Sequence, residues 1–413
     1  MIPLGIEEIR ELAPGELWGE GDVSGMQIDS RRIRPGDLFV AVGRGAEFLD
    51  DARAAGAAAT LVPDDGFSAL AAIAGAVRDR SSARIVGITG STGKTSTKDI
   101  LAGLCQPVAR TVATEASFNA ELGVPLTLCR IESDTEICIV ELGMRGFGQI
   151  AELCVFARPD VGVITAIGPV HLERVGSVDG VARSKAELLD ALPEGAPAIV
   201  PDSPELEPYL REDLDVRRVG PVDVELDEDG VHVAFRGRRI RFSLRGRHQA
   251  QNALTALTAY DVLGLSLERA QEGAAQVELS RWRGEELPLG GGGFVLNDAW
   301  NANPTSMAAA LRHLAERGAS RRRIAVLGGM AELGEHAERY HRQVADLARE
   351  LGLEVLAVGE LARGYDASDW APDSEAALAW LREAVRPGDA VLVKASRAVA
   401  LEGIATALAN HVA

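Results

Sequence analysis

Cysteine is scarce in this 413-residue chain: there are four (Cys105, Cys129, Cys138, Cys154) and no C-x-x-C pair. Neither a disulfide framework nor a ribbon-type zinc site is therefore encoded. Three of the four lie in or beside apolar runs, where a free thiol behaves as a small hydrophobe, and all four read as reduced core residues. Long apolar runs are also missing; none reaches the ~18 uncharged residues that a membrane-spanning helix needs. The opening segment M-I-P-L-G-I-E-E-I-R has no basic stretch followed by an apolar one, so no leader is expected and the protein is expected in the cytoplasm. Positive charge is short as well. Lys and Arg total 43 against 61 Asp and Glu, a formal charge of -18, and such a chain is not expected to hold nucleic acid, whose phosphates demand a cationic surface. A polyanionic ligand must be met by local charge. There is no internal repeat, no low-complexity tract and no G-x-G-x-x-G, so no dinucleotide site is inferred.

What is present suits a soluble α/β protein of about three domains. Hydrophobic residues make up 46% and charged residues 25%, ordinary values for a globular chain. Residues 1–82 read as strand, turn at Pro35-Gly36, strand, alanine-rich helix and strand, with D-R-S-S-A-R as the following linker. Residues 83–280 hold the continuous apolar runs I-V-G-I-T, I-C-I-V-E-L-G, V-G-V-I-T-A-I-G and A-P-A-I-V-P-D. Runs of this kind, separated by helical segments, mark a parallel sheet covered on both faces. Within this stretch, Val222 to Leu244 alternates around D-E-D-G and R-G-R-R as a small antiparallel insertion, with Ile240, Phe242 and Leu244 on one face and Arg239 and Arg241 on a solvated one. Residues 281–413 carry four further strands with intervening helices, a Rossmann-like module.

The most informative stretch is R-I-V-G-I-T-G-S-T-G-K-T-S-T-K-D-I, from Arg84 to Ile100. A strand runs into a glycine-rich turn ending in Gly93-Lys94-Thr95-Ser96, then into a helical run from Thr97 to Leu104. That arrangement is a phosphate cradle: inward N-H groups, a helix N-terminus, the point charge of Lys94, and the Thr95 hydroxyl for Mg²⁺. Its spacing is a variant, with Ile88 where the common pattern has glycine and with Gly87, Gly90 and Gly93 at intervals of three.

Ligands of such sheets bind at the carboxyl ends of strands. There fall Glu141, an acid after four apolar residues and suited to Mg²⁺, Thr165, and His171, a candidate metal ligand or acid-base group. By spacing alone Lys185, in V-A-R-S-K-A-E-L-L, is only a solvated helical lysine. G-R-H-Q-A-Q-N-A-L-T-A-L begins a helix with His248 and Asn252 on one face; they read equally as nucleotide contacts or as ordinary helix polar groups. D-A-W-N-A-N-P-T-S-M places Asp298, Asn301 and Asn303 in a strand-to-helix loop before Pro304, a favoured first helical residue.

Together G-I-T-G-S-T-G-K-T-S, S-F-N-A-E-L-G-V-P-L-T-L, E-L-G-M-R-G-F-G-Q-I-A-E-L, A-R-S-K-A-E-L-L, G-R-H-Q-A-Q-N-A, N-D-A-W-N-A-N-P-T-S-M, A-V-L-G-G-M-A-E-L-G and V-L-V-K-A-S-R resemble, in their order, the Mur ligases of peptidoglycan synthesis. The MurF type is most similar, over nearly the whole chain. The resemblance implies three domains: one for the uridine diphosphate end of a UDP-linked muramoyl tripeptide, a central ATPase, and one that closes with D-alanyl-D-alanine. It implies an ATP site of Gly90, Ser91, Thr92, Gly93, Lys94, Thr95, Ser96, Asn252, Arg283 and Asp298. Magnesium would be held by Thr95, Glu141, His171 and Lys185, the last matching a lysine that the family carbamylates with CO₂. Lys94, Glu141, His171 and Lys185 would carry catalysis, Ser30 and Arg31 would lie near the uridine nucleotide, Asn301 and Asn303 near the dipeptide, and Asn119 would also bind substrate. A monomer is implied. The chain has Trp300 where the family usually has tyrosine, Gly329 for aspartate, and Ser117 and Ala120 for asparagines, and its loop around Gly43 to Phe48 is short and lacks D-G-H. A MurF-like paralogue for another amine and carboxylate, a nucleotide-binding protein without turnover, and a folylpolyglutamate synthase-like ligase are the alternatives.

Overall fold

The structure is a computed structural model, and it describes residues 1–222, 224–227 and 230–411. The runs of the middle segment form a parallel six-stranded sheet in the order Asp215–Val219, Pro197–Pro201, Val161–Ile164, Arg84–Thr89, Ile137–Glu141, Thr111–Ala113. Successive side chains point to opposite faces, and two cores result. Val86, Ile88 and Ile139 pack with Ile100, Leu104 and Leu257 of the helices Lys94–Cys105 and Arg247–Val262. Ile85, Val140 and Leu142 pack with Ile150 of Gln149–Ala157 and Leu188 of Val178–Asp190. The two edge strands were not expected; one is three residues long and the other, D-V-R-R-V, is mostly charged.

Arg84–Thr89 sits where the strand order reverses, since the chain next builds the strands on one side and then crosses to the other. Such a switch point leaves a crevice at the carboxyl ends of the strands. The glycine-rich turn opens into it.

The first module has a four-stranded sheet, Gly15–Gly19, Ala59–Pro63, Asp37–Val40, Gly25–Gln27. Its helix Gly66–Arg80, capped by Asp65, buries Leu70, Ile73, Ala74 and Val77 in the same core as Ile85 and Val140. The first and middle modules thus share apolar packing. The expected linker shrinks accordingly, because Asp79 and Arg80 still belong to this helix and Arg84 already belongs to the strand.

The last module has six strands where four were expected, in the order Glu285–Pro288, Phe294–Asn297, Ala390–Lys394, Arg323–Gly328, Glu354–Val358, Asp369–Ala371. The additions are short edges, the first antiparallel. The insertion is the three-stranded sheet Glu225–Asp227, Gly230–Phe235, Arg238–Phe242, with Ile240 and Phe242 buried; residues 228 and 229 of its D-E-D-G turn lie outside the described residues. Its arginines meet acids of the chain itself, Arg236 with Asp261, Arg238 with Glu268 and Arg239 with Glu225. All four cysteines are buried and unbridged, with burial raising each thiol to about 12. Among the described residues no helix is long and apolar enough to cross a membrane.

Candidate active site at the carboxyl edge of the middle sheet

The turn from Gly90 to Gly93 leads into the helix Lys94–Cys105, and glycine is required at both ends of it. Gly90 has φ 146° and Gly93 φ 84°, and a Cβ would stand 2.0 Å from Thr165 Oγ1 at the first and 2.4 Å from Asn252 Oδ1 at the second. Thr165 and Asn252 therefore wall the cradle from two sides. Thr165 Oγ1 lies 2.6 Å from the Thr92 carbonyl, and Ser91 exchanges hydrogen bonds with Gly168 at 3.0 Å, which ties the cradle to the loop after Val161–Ile164. Lys94 Nζ donates to the Gly90 carbonyl at 2.7 Å, and two of its protons remain for a ligand. Burial pulls this ammonium below the ordinary lysine value, with Glu141 opposing the shift and Arg283 adding to it.

Glu141 ends its strand fully buried. Oε1 accepts from Asn119 Nδ2 at 2.7 Å, while Oε2 is buried with no hydrogen-bond partner. An unpaired buried carboxylate oxygen is costly, and it suits a hard cation. No cluster of three His, Cys, Asp or Glu side chains forms a metal cage among the described residues, so a cation here would complete its shell with phosphate oxygens and water, as Mg²⁺ does.

His171 has φ 53° at the start of the short helix Leu172–Val175. Its Nδ1 lies 2.5 Å from Glu332 Oε2 of the last module, and this bond holds the Glu332 carboxyl below its usual range. With Nδ1 engaged, Nε2 is the free ring nitrogen. Lys185 is 1% exposed on Val178–Asp190, not a solvated lysine. Burial first, then Lys94, push its pKa well below the ordinary value against the pull of Glu187. Burial of this kind disfavours the ammonium relative to the neutral amine, the form that adds to CO₂.

The last module reaches across the crevice at several points. Arg283 Nη2 donates to Thr95 Oγ1 at 3.0 Å and lies 3.3 Å from Ser117 Oγ, and its guanidinium stands 5.7 Å over the Trp300 ring. Trp300 stacks on Trp282 at 5.7 Å, and Arg397 lies 5.0 Å from both rings. Asn303 caps Pro304–Arg317 in a reciprocal capping box with Ser306 and sends its amide to the Ser91 carbonyl at 3.2 Å. Asp298 is held by Lys394, whose Nζ lies 2.5 Å from Oδ2 and 3.0 Å from the Asn301 carbonyl. The Asn301 side chain is turned back on its own loop, accepting from Ala302 N.

The structure thus brings together the cradle, Glu141, Asn119, Asn252, Arg283 and Asn303. Ser30 and Arg31 lie on a surface turn of the first module, where Arg31 pairs with Asp29 at 2.7 Å; the neighbouring Arg32 makes the link to the middle module, at 2.6 Å from Glu115. Lys394, Glu332, Trp282 and Arg32 escaped the sequence reading. Lys394 carried a usable signal, the one that exposed Glu141: a charge closing an apolar buried strand. Three of the departures have local reasons. Ser117 receives Arg283, Trp300 completes a ring stack, and a Cβ on Gly329 would stand 2.4 Å from Leu361 Cβ.

The Mur ligase middle domain profile matches residues 88–260, and that of the Mur ligase, glutamate ligase domain matches residues 283–397. The chain is 35% identical to the UDP-N-acetylmuramoyl-tripeptide–D-alanyl-D-alanine ligase of Mycobacterium tuberculosis, over 99% of this chain and 98% of that one. A crystal structure of MurF from Acinetobacter baumannii superposes with TM-score 0.87 at 25% identity, over 99% of both chains. MurF from Thermotoga maritima in complex with ADP does so with TM-score 0.82 at 26% identity, over 94% of this chain and 97% of that one.

Proposed function

The chain belongs to the Mur ligase family, and from that premise we propose that it joins D-alanyl-D-alanine to UDP-N-acetylmuramoyl-tripeptide at the expense of ATP, a step of peptidoglycan precursor synthesis. The observation that carries the reading to these residues is the meeting, at one sheet edge, of a phosphate cradle, the orphaned oxygen of Glu141 and an arginine delivered by the last module.

A carboxylate does not acylate an amine because oxide is too poor a leaving group, so the carboxylate first attacks the γ-phosphorus of ATP and ADP departs. The amine of the dipeptide then attacks the acyl phosphate, loses a proton, and the tetrahedral intermediate collapses to amide and inorganic phosphate. Lys94 and the N-H groups from Gly90 to Ser96 meet the charge that grows on the transferred phosphoryl group. Arg283 adds a second cation from the opposite wall and bridges to Thr95, so closure of the last module completes the pocket and keeps water from the acyl phosphate. Asn119 orients Glu141, Asn252 walls the cradle at Gly93, and Asn252 and Asp298 would flank the nucleotide.

Thr95, Glu141 and His171, with a carbamate on Lys185, would hold Mg²⁺, which neutralises phosphate charge when bound. The Lys185 amine adds to CO₂ and releases a proton, exchanging a buried base for an anion. The reading further takes the enzyme as a cytoplasmic monomer without a nucleic-acid partner.

Phosphate release with purified protein, Mg²⁺, ATP and both acceptors, each omitted in turn, tests the proposal. Release that needs both substrates, a product of pentapeptide mass, and a loss of about 1,000-fold in Lys94→Ala are expected. ATP binding without dependence on both substrates would sink it.

A further inference from the structure

Only four lysines occur among the 43 basic residues, and they are Lys94, Lys98, Lys185 and Lys394. Three of them are 2% exposed or less. Arginine supplies the surface; lysine stands where a compact charge with three separately aimed donors fits and a planar fork does not. Lys98 is the one whose place no step above explains.

Lys98 lies one turn beyond Lys94 on the same helix. Its Nζ donates to the Thr114 carbonyl at 2.7 Å and the Ala116 carbonyl at 3.1 Å, and lies 2.7 Å from Asp99 Oδ1, which uses all three donors. Those carbonyls belong to the segment that carries Ser117 and Asn119. Ala116 has φ 48°, a strained setting for a residue with a Cβ, so this stretch is held against its own preference. The other end of the pair faces away from it: Asp99 Oδ2 accepts from Ser280 N at 2.8 Å, in the connection that leads to Arg283. Arg283 in turn spans Thr95 and Ser117.

We propose that Lys98 and Asp99 form a positioning unit that locks the Thr114–Asn119 segment, and so Asn119 on Glu141, to the connection at Ser280 that carries Arg283. Movement of the last module is thereby transmitted to the acceptor side of the site without contact with either substrate. In its catalytic consequence the proposal rests on the ligase reading; in its mechanical consequence it stands alone.

The test uses the full chain with Lys98→Met and Asp99→Asn. Hydrogen exchange is followed at residues 114–122 and 280–284, with ADP affinity by calorimetry and steady-state kinetics alongside. Lys98→Met is expected to speed exchange in both segments, although its side chain touches only the first. ADP affinity should stay within about threefold and kcat/KM for the tripeptide acceptor fall about tenfold or more. Asp99→Asn should likewise reach residues 114–122. Exchange confined to the segment each side chain touches, or ADP affinity lost in step with kcat/KM, overturns the proposal. Should Lys98→Met not fold, Asp99→Asn decides by the same exchange criterion. Coupled exchange in a protein without dual-substrate turnover would instead sink the ligase reading.

Discussion

At the residue scale two ionisable groups of the site, Glu141 and Lys185, are each only 1% exposed. Lys185 was legible only as a solvated helical lysine, because its burial arises only once Val178–Asp190 is packed in the assembled fold, and its standing came from motif order. Its burial and its like-charge neighbour Lys94 both disfavour the ammonium and so favour the neutral, nucleophilic amine. With ¹³C-labelled bicarbonate the wild-type protein should show a carbamate carbon resonance near neutral pH that vanishes in Lys185→Arg. The scarcity of lysine makes the spectrum easy to assign, and an unchanged signal in the variant would refute carbamylation there. Glu141 was legible because a carboxylate closing four apolar strand residues has few structural excuses. Glu332 was not, since its value to His171 arises across modules 161 residues apart.

At the scale of elements, local chemistry carried most of the information. The cradle and its helix follow from glycine spacing and the G-K-T-S run. The helix Pro304–Arg317 starts where Asn303 and Pro304 place it. The resemblance implies Asn303 as a dipeptide neighbour, and the structure adds a cap at Ser306 N and a bond to the Ser91 carbonyl. Asn303→Ala should cost about 1 kcal/mol in urea unfolding, and it should weaken ADP binding as well, because one wall of the cradle loses its support. Stability lost with ADP affinity intact would reduce Asn303 to a cap alone. Short edge strands such as Thr111–Ala113 and Asp369–Ala371 were illegible, since three residues show no period and owe their pairing to a neighbour already in place.

At the scale of the whole molecule, the middle and last modules meet through groups that titrate. His248, on Arg247–Val262, and His313, on Pro304–Arg317, meet edge to face at 5.8 Å, and His313 Nε2 is buried without a partner. Burial, reinforced by His248 and opposed by Glu286, Glu316 and Asp298, lowers His313 from 6.5 to about 4. The unfolded chain therefore takes up the proton first. Stability is intact above pH 6.5 and falls as pH drops toward about 4, by about 3 kcal/mol at full effect. His313→Phe should flatten that part of the stability profile, measured as urea midpoint against pH; an unchanged slope would show that the interface does not feel this ring.

By itself the sequence determined the α/β class, the phosphate cradle, the buried thiols and the order of motifs that marks the family. The first three rest on periodicity and turn chemistry, which act over a few residues, and the last rests on resemblance. Only the tertiary structure decided which face of each strand meets which helix, that Arg283 bridges Thr95 and Ser117, that Glu332 claims His171, and that Lys98 and Lys394 are interior clamps. Each of these joins residues far apart in the chain, and burial and hydrogen-bond partners at that range exist only once the sheets have assembled.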